Sequence, residues 1–351
     1  MKSVATPPYS NTLRKSKLIK LVSKMKLISK IGLSALLLVA LASCQKGIMS
    51  DLSECPQYTI FTFDVRTPDE ISYPDGKIDD IRVFAFDEND QLIGEWKEGD
   101  VAFLPDYEIR TNHYRPGKTT TFVAWAAKDM SQYDLSAFKV GAKKSDLVLF
   151  MAKQADKIKA TAGPLYVGTP KEGALKQIDR DGKGTEIDRV HFPLVQITNH
   201  FNIEIRGLAP GHQYTMTYTA KNSRYGYDGQ LLPDTPFEWT TDTFEQKVSE
   251  SGKSVTVSAT YDILRLVPGE RGDYLITITD ESGKVVYEFD PLHDYILYSG
   301  VAMSSPNPFK DHLDLNHDFN IRILLQSSKE TYMAVQVTIQ NWNLVFRDAH
   351  L

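Results

Sequence analysis

The chain has 351 residues, with 40 basic against 45 acidic side chains, a formal net charge of −5 and two cysteines. An acidic balance argues against nucleic acid or an anionic membrane surface as partner, and two cysteines cannot build a disulfide framework or a four-thiolate metal site. At about 100–200 residues per domain the length accommodates two domains, each large enough for its own core.

The N-terminal stretch carries Lys2, Arg14, Lys15, Lys17, Lys20, Lys24, Lys26 and Lys30 and no acidic residue before Cys44. An apolar run from Ile31 to Leu41 follows. A basic segment, a short apolar core and small residues read as a secretory signal peptide over residues 1–43. The run is too short for a membrane-spanning helix, which needs about 20 apolar residues. Met25 begins a compact version of this leader, MKLISKIGLSALLLVALASC, and is the expected start.

Leu41-Ala42-Ser43-Cys44 resembles the lipobox of bacterial lipoproteins. On that reading Leu41, Ala42 and Ser43 are recognised by the signal peptidase and Cys44 becomes the first residue. Its thiol takes a diacylglyceryl thioether and its amine a further acyl chain, and two signals give stable anchoring where one does not. All 45 acidic residues but only 32 of the 40 basic ones lie beyond the leader, so the exported chain is more acidic still. Cys55 is then an odd thiol, read as a small buried residue beside the first strand.

Residues 44–57 are polar, lack periodicity and read as a tether. Period-two alternation follows. Phe61, Phe63 and Val65 share a face in YTIFTFDVR; in RVFAF, Val83 and Ala85 oppose Phe84 and Phe86. TTTFVAWAA, HFNIEIRGL, SVTVSAT, YLITIT and DFNIRILLQ alternate too, and Met333, Val335, Val337 and Ile339 form one stripe near the end. Such segments are half-buried strands, and many short ones among 17 Pro and 21 Gly indicate an all-β sandwich. One segment, SDLVLFMAKQADKIKA (145–160), reads as a short helix with Leu147, Phe150, Met151 and Ile158 inward. A hairpin recurs: VFAFDENDQLIGEW (83–96) and ITITDESGKVVYEF (276–289) share strand, acidic turn, strand. The recurrence fits two related sandwiches, 58–185 and 186–351, divided in the polar, Gly-rich stretch 170–190.

Chemistry-bearing motifs are sparse. DRDGKGTEIDRV (179–190) has Asp179, Asp181 and Gly184 at EF-hand spacing, but Lys183 and Val190 stand where ligands belong, so a linker turn is expected. His312 and His317 lie close in the chain without an H-E-x-x-H frame. There is no nucleophile elbow and no phosphate-binding glycine loop. Asp79 and Asp80 precede a strand and read as a solvated turn. Arg271-Gly272-Asp273 spells an adhesion tripeptide in a turn context. No enzyme activity, metal site or cofactor is expected.

The order of these features resembles a family. A lipobox cysteine is followed by Glu54-Cys55-Pro56, YTIFTFDV, the hairpin IDDIRVFAFDENDQLIGEW, GPLYVGTP (163–170), VHFPLVQITNHFNIEIRGL (190–208), DILRLVPG (262–269), DHLDLNHDFNIRILL (311–325) and VTIQNW (337–342). The set resembles the FimB-type fimbrial anchor lipoproteins of Bacteroidales across nearly the whole exported chain. The resemblance implies two tandem transthyretin-like β-sandwiches, attachment to the cell outer membrane through the lipid, and a fimbrial subunit (fimbrillin or accessory pilin) as partner, joined by β-strand addition. A lipidated N-terminus cannot be trimmed away, so the contact is expected at another edge: the strand 333–342 or the tail 343–351, with Asn343, Leu344, Val345 and Phe346 as candidate contacts. The alternative is a surface glycan-binding lipoprotein using Trp96, Trp125, Trp239 and the Tyr225/Tyr227 pair.

Overall fold

The computed structural model describes residues 57–346 apart from 67–70, 74–75, 77, 113–114, 116, 152, 155–156, 160–162, 177–185, 300–307 and 329–330. The leader, Leu41, Ala42, Ser43, Cys44, Cys55 and the expected boundary near residue 185 lie outside the described residues. Tyr58–Ile178 and Ile187–Leu351 form one compact unit.

The fold is all-β. A nine-stranded sheet runs Ile71–Ser72, Gln57–Arg66, Glu186–Gln196, Leu165–Gly168, Thr119–Ala127, Asp80–Phe86 and Leu92–Gly99, with Glu108–Thr111 beside Gln57–Arg66 and Leu175–Lys176 beside Thr119–Ala127. Its centre is apolar on both faces. Ile81, Val83 and Ala85 pack with Phe61, Phe63, Phe122 and Phe192, while Phe84 and Phe86 join Val123, Trp125 and Leu165 on the other side. VFAF therefore carries no polar residue because both of its faces are covered.

Two six-stranded sheets form the C-terminal sandwich. The second sheet runs Val285–Phe289, Tyr274–Thr279, Thr215–Ala220, Phe237–Thr240, Lys157–Lys159, Lys153–Gln154. The third runs Glu245–Val248, Val255–Leu264, Thr198–Leu208, Asp318–Ser328, Thr331–Ile339, Trp342–Val345. They meet through Phe201 set edge-on to Tyr218 with centroids 5.7 Å apart, and through the Tyr261 hydroxyl, which donates to the Met216 carbonyl at 3.1 Å. A small sheet pairs Arg224–Gly226 from the C-terminal half with Val148–Met151, which also pairs with Tyr133–Asp134. The Trp125 indole N–H donates to the Tyr227 carbonyl at 3.1 Å, and one continuous buried cluster extends from Phe84 to Ile339. Strand pairing passes from the first sheet to the third at Ile197, the single residue between Glu186–Gln196 and Thr198–Leu208.

Two expectations are corrected. The described residues of 145–160 do not form the expected helix beyond a single 3-10 turn at Lys144–Asp146. Leu147, Leu149 and Met151 are buried at period two, and the segment supplies Val148–Met151, Lys153–Gln154 and Lys157–Lys159 to two sheets. The apolar residues satisfied both periods, and pairing with Arg224–Gly226 selected the strand. The α-helix among the described residues is instead Pro308–Leu315. The stripe near the C-terminus also breaks. A bulge at Val335 sets Leu325 opposite Ala334 and Leu324 opposite Gln336, so Tyr332 and Ala334 turn to the core ahead of Val337 and Ile339, rather than Met333 and Val335. A one-residue insertion exchanges faces because the side-chain period is two. Gly207, at φ 90°, sits in a facing bulge, where a Cβ would run into the Leu325 carbonyl oxygen.

The recurrent hairpin is the same object twice. Asp87 N donates to Gln91 O at 2.9 Å and Asp280 N to Lys284 O at 3.1 Å. Asp87 Oδ1 accepts from Asn89 N and Gln91 N, each at 2.9 Å; Asp280 Oδ1 accepts from Ser282 N at 2.9 Å and Lys284 N at 3.1 Å. The fourth residue of each turn, Asp90 and Gly283, has positive φ, and each hairpin has a register shift just before the turn. Asp87→Ala removes one acceptor that serves two backbone donors. It is expected to lower stability by about 1 kcal/mol in urea titration without changing the slope, and Asp280→Ala is expected to act in the same direction.

Candidate functional site

Three of the four C-terminal candidates, Asn343, Leu344 and Val345, fall on one strand, and Phe346 directly follows it. Thr331–Ile339 turns back through Gln340 and Asn341 into Trp342–Val345, with Ile339 opposite Trp342. Gln340 adopts φ 52° and is held by its own side chain, which donates to the Asp318 carbonyl and accepts from Asn320 Nδ2 at 3.0 Å. That hold fixes where the last strand starts.

Trp342–Val345 ends the third sheet, and among the described residues it pairs on one side only. Phe346 N donates to Val335 O at 3.1 Å, so Phe346 and Leu344 direct their backbone groups inward. The alternate residues, Asn343 and Val345, direct N–H and C=O outward. Leu344 packs against the core, whereas Val345 is 59% and Phe346 47% exposed. Thr338 Oγ1 donates to Asn343 Oδ1 at 2.6 Å. Edge strands are ordinarily protected by charge, and the opposite edge of this sheet, Glu245–Val248, carries the Lys247–Glu245 ion pair. The segment Trp342 to Phe346 has no charged residue. The edge position of this strand rests on strand order, which a sequence does not carry.

The aromatic residues considered for glycan stacking are mostly core. Trp125, Trp239 and Tyr225 are at most 1% exposed, and Trp96 and Tyr227 are half-buried. In the tripeptide, Asp273 receives Lys221 at 2.6 Å and Arg271 pairs with Asp294, so both charges are used internally. Among the described residues no three His, Cys, Asp or Glu side chains are grouped to hold a metal.

A polar cleft opens beside Ile197, lined by Gln196, Thr198, Asn199, His200, Asp262 and Asp318 with Gly163 and Pro164. Thr198 Oγ1 accepts from Leu165 N at 3.0 Å, and Asn199 bridges Leu266 N and Asn316 O. His200 Nδ1 meets Asp262 Oδ1 at 2.7 Å. That hydrogen bond raises the imidazole pKa above its ordinary 6.5 against the opposing effect of burial, with the Asp262 and Asp318 charges adding to the rise.

The model of the family described as fimbrillin-A associated anchor proteins Mfa1 and Mfa2 matches residues 52–348. Among solved structures, the fimbrial anchor protein Mfa2 from Porphyromonas gingivalis is similar at TM-score 0.65 and 20% identity, covering 83% of this chain and 99% of that one. A candidate polysaccharide-binding protein from Bacteroides thetaiotaomicron gives 0.61 and 19%, covering 85% and 100%. A candidate adhesin from the same organism gives 0.63 and 17%, also covering 85% and 100%. No curated protein is significantly similar to the chain.

A raised His200 pKa means that protonation stabilises the fold. The contribution is complete below 6.5 and is lost as pH rises through the raised value. The stability difference between the native chain and His200→Gln should therefore shrink on going from pH 5 to pH 8 (roughly the range in which histidine titrates). An NMR titration should give a His200 midpoint above 6.5 that falls in Asp262→Asn.

Proposed function

Because the chain belongs to the family of fimbrillin-A associated anchor proteins, matched over residues 52–348, we propose that it tethers a fimbrium to the cell through a lipid on Cys44. It would bind the first fimbrial subunit by accepting a β-strand along Trp342–Val345. Family membership supports association with fimbrial subunits at the cell surface. The observation that favours this edge is the outward backbone of Asn343 and Val345, flanked by exposed Val345 and Phe346 and unprotected by charge.

The first strand supports the same choice. Gln57–Arg66 lies inside the nine-stranded sheet, between Glu186–Gln196 and the pair Ile71–Ser72 and Glu108–Thr111. Removing it would open that sheet, and with a lipid on Cys44 it would also release the anchor. The glycan-binding alternative keeps the lipidated exterior but has Trp125, Trp239 and Tyr225, three of its five aromatic residues, in the core.

Val345→Pro tests the edge. Proline removes an N–H that faces outward and no bond of the inner ladder, so stability should stay within about 1 kcal/mol of the native chain. Recovery of a fimbrial subunit with the tagged protein, after mild cross-linking on intact cells, should fall to background; undiminished recovery places the contact elsewhere. Cys44→Ala should leave the fold unchanged and release fimbriae into the medium. Fimbriae that stay on the cells of that variant would remove the lipid from the mechanism.

A further inference from the structure

One strand of the second sheet does not come from the C-terminal half. Lys157–Lys159 pairs parallel with Phe237–Thr240, setting Ile158 opposite Trp239 and Lys157 opposite Glu238. Every other strand of that sheet, apart from its short antiparallel cover Lys153–Gln154, lies between residues 215 and 289. The sandwich therefore borrows a three-residue strand to close its edge.

The hold is slight. Ile158 is fully buried, in a row across the sheet with Trp239, Tyr218, Ile276 and Phe289. Lys157 pairs with Glu238 in solvent, where an ion pair contributes little. Thr240 Oγ1 donates to the Ile158 carbonyl at 3.3 Å. Beneath it the core is not fully satisfied: the Trp239 indole N–H and the Tyr218 hydroxyl, both buried and on adjacent strands of the same row, have no hydrogen-bond partner. Buried polar groups without partners are rare in native proteins. A short parallel strand is also the weaker form of pairing.

We propose that Lys157–Lys159 is an exchangeable cover, and that Phe237–Thr240 is a second strand-accepting edge. Its occupant is an extended segment of the fimbrial partner with an aliphatic residue in the Ile158 slot and a basic residue facing Glu238. The occupant's identity rests on the fimbrial reading above; exchange of the cover does not. Cover and occupant compete for one row of backbone groups, so the edge is closed in the free protein and opens when a longer strand displaces Ile158.

The test uses the full chain with Cys55→Ser and a fluorescent synthetic peptide of this chain's residues 151–162, read by anisotropy and native electrophoresis. The peptide should be taken up by the native chain. Uptake should be faster by about fourfold in Ile158→Val, which loosens the cover without emptying the slot, and should be lost when Ile158 is changed to Ala in the peptide. A Lys157→Cys, Glu238→Cys pair, placed opposite each other in register, should block uptake when oxidised and restore it when reduced. Absence of uptake in the native chain and in the reduced pair, with amides 237–240 exchanging no faster than amides 201–205, overturns the proposal. Val345→Pro should take up the peptide normally, so failure at the Trp342 edge is read separately from failure here.

Discussion

Ile197 holds hydrogen bonds to both halves of the molecule. Its N–H donates to the Leu165 carbonyl at 2.8 Å, within the first sheet's territory, and its carbonyl accepts from Arg265 N at 2.9 Å and from the Tyr225 hydroxyl. Thr198 and Asn199 extend the lock by receiving Leu165 N and Leu266 N. Burial pushes the Tyr225 phenol well above its ordinary pKa, so it stays a proton donor at any physiological pH. A linker of one residue gives the two β-regions no freedom to hinge, and the buried cluster that runs through both is the result. The His200 cleft, the small sheet and the borrowed strand all depend on this fixed junction.

Two hairpins with the same aspartate geometry, one at the edge of the first sheet and one at the edge of the second, show how similar parts were fitted to different surroundings. Both turns need an acceptor at the first position and positive φ at the fourth. One meets the second need with Asp90, the other with Gly283. The flanking strands differ more. Asp80–Phe86 is covered on both faces, whereas Tyr274–Thr279 alternates between buried and half-exposed residues.

Much of this was legible beforehand. Period-two alternation marked Phe201, Ile203 and Ile205, and Val255, Val257 and Ala259, as inward stripes, and these residues are buried. The acidic turns stood out because Asp and Gly serve such turns by known chemistry. What remained hidden depended on partners distant in the chain. Leu147, Phe150 and Met151 fit a helix until Arg224–Gly226 is known to lie alongside. The bulge at Val335 is invisible without the facing register of Leu324 and Leu325. The alternation runs one strand through to Trp342 and leaves 343–351 as a tail; that the chain turns at Gln340 and Asn341 and that Trp342–Val345 is a separate strand at the end of the sheet follow from pairing and from an order in which strands from residue 198 to residue 345 interleave.

The pairing pattern of the third sheet also decides how the molecule carries tension. Thr198–Leu208 lies parallel to Asp318–Ser328, and Thr331–Ile339 and Trp342–Val345 continue outward from that pair. A strand added at Trp342–Val345 and pulled along its own axis would load the cross-strand hydrogen bonds sideways and all together. A pull across the axis would break them one after another. Because those bonds run across the strands, an axial pull would meet the combined resistance of the ladder, and a partner strand paired at this edge would be kept under drag.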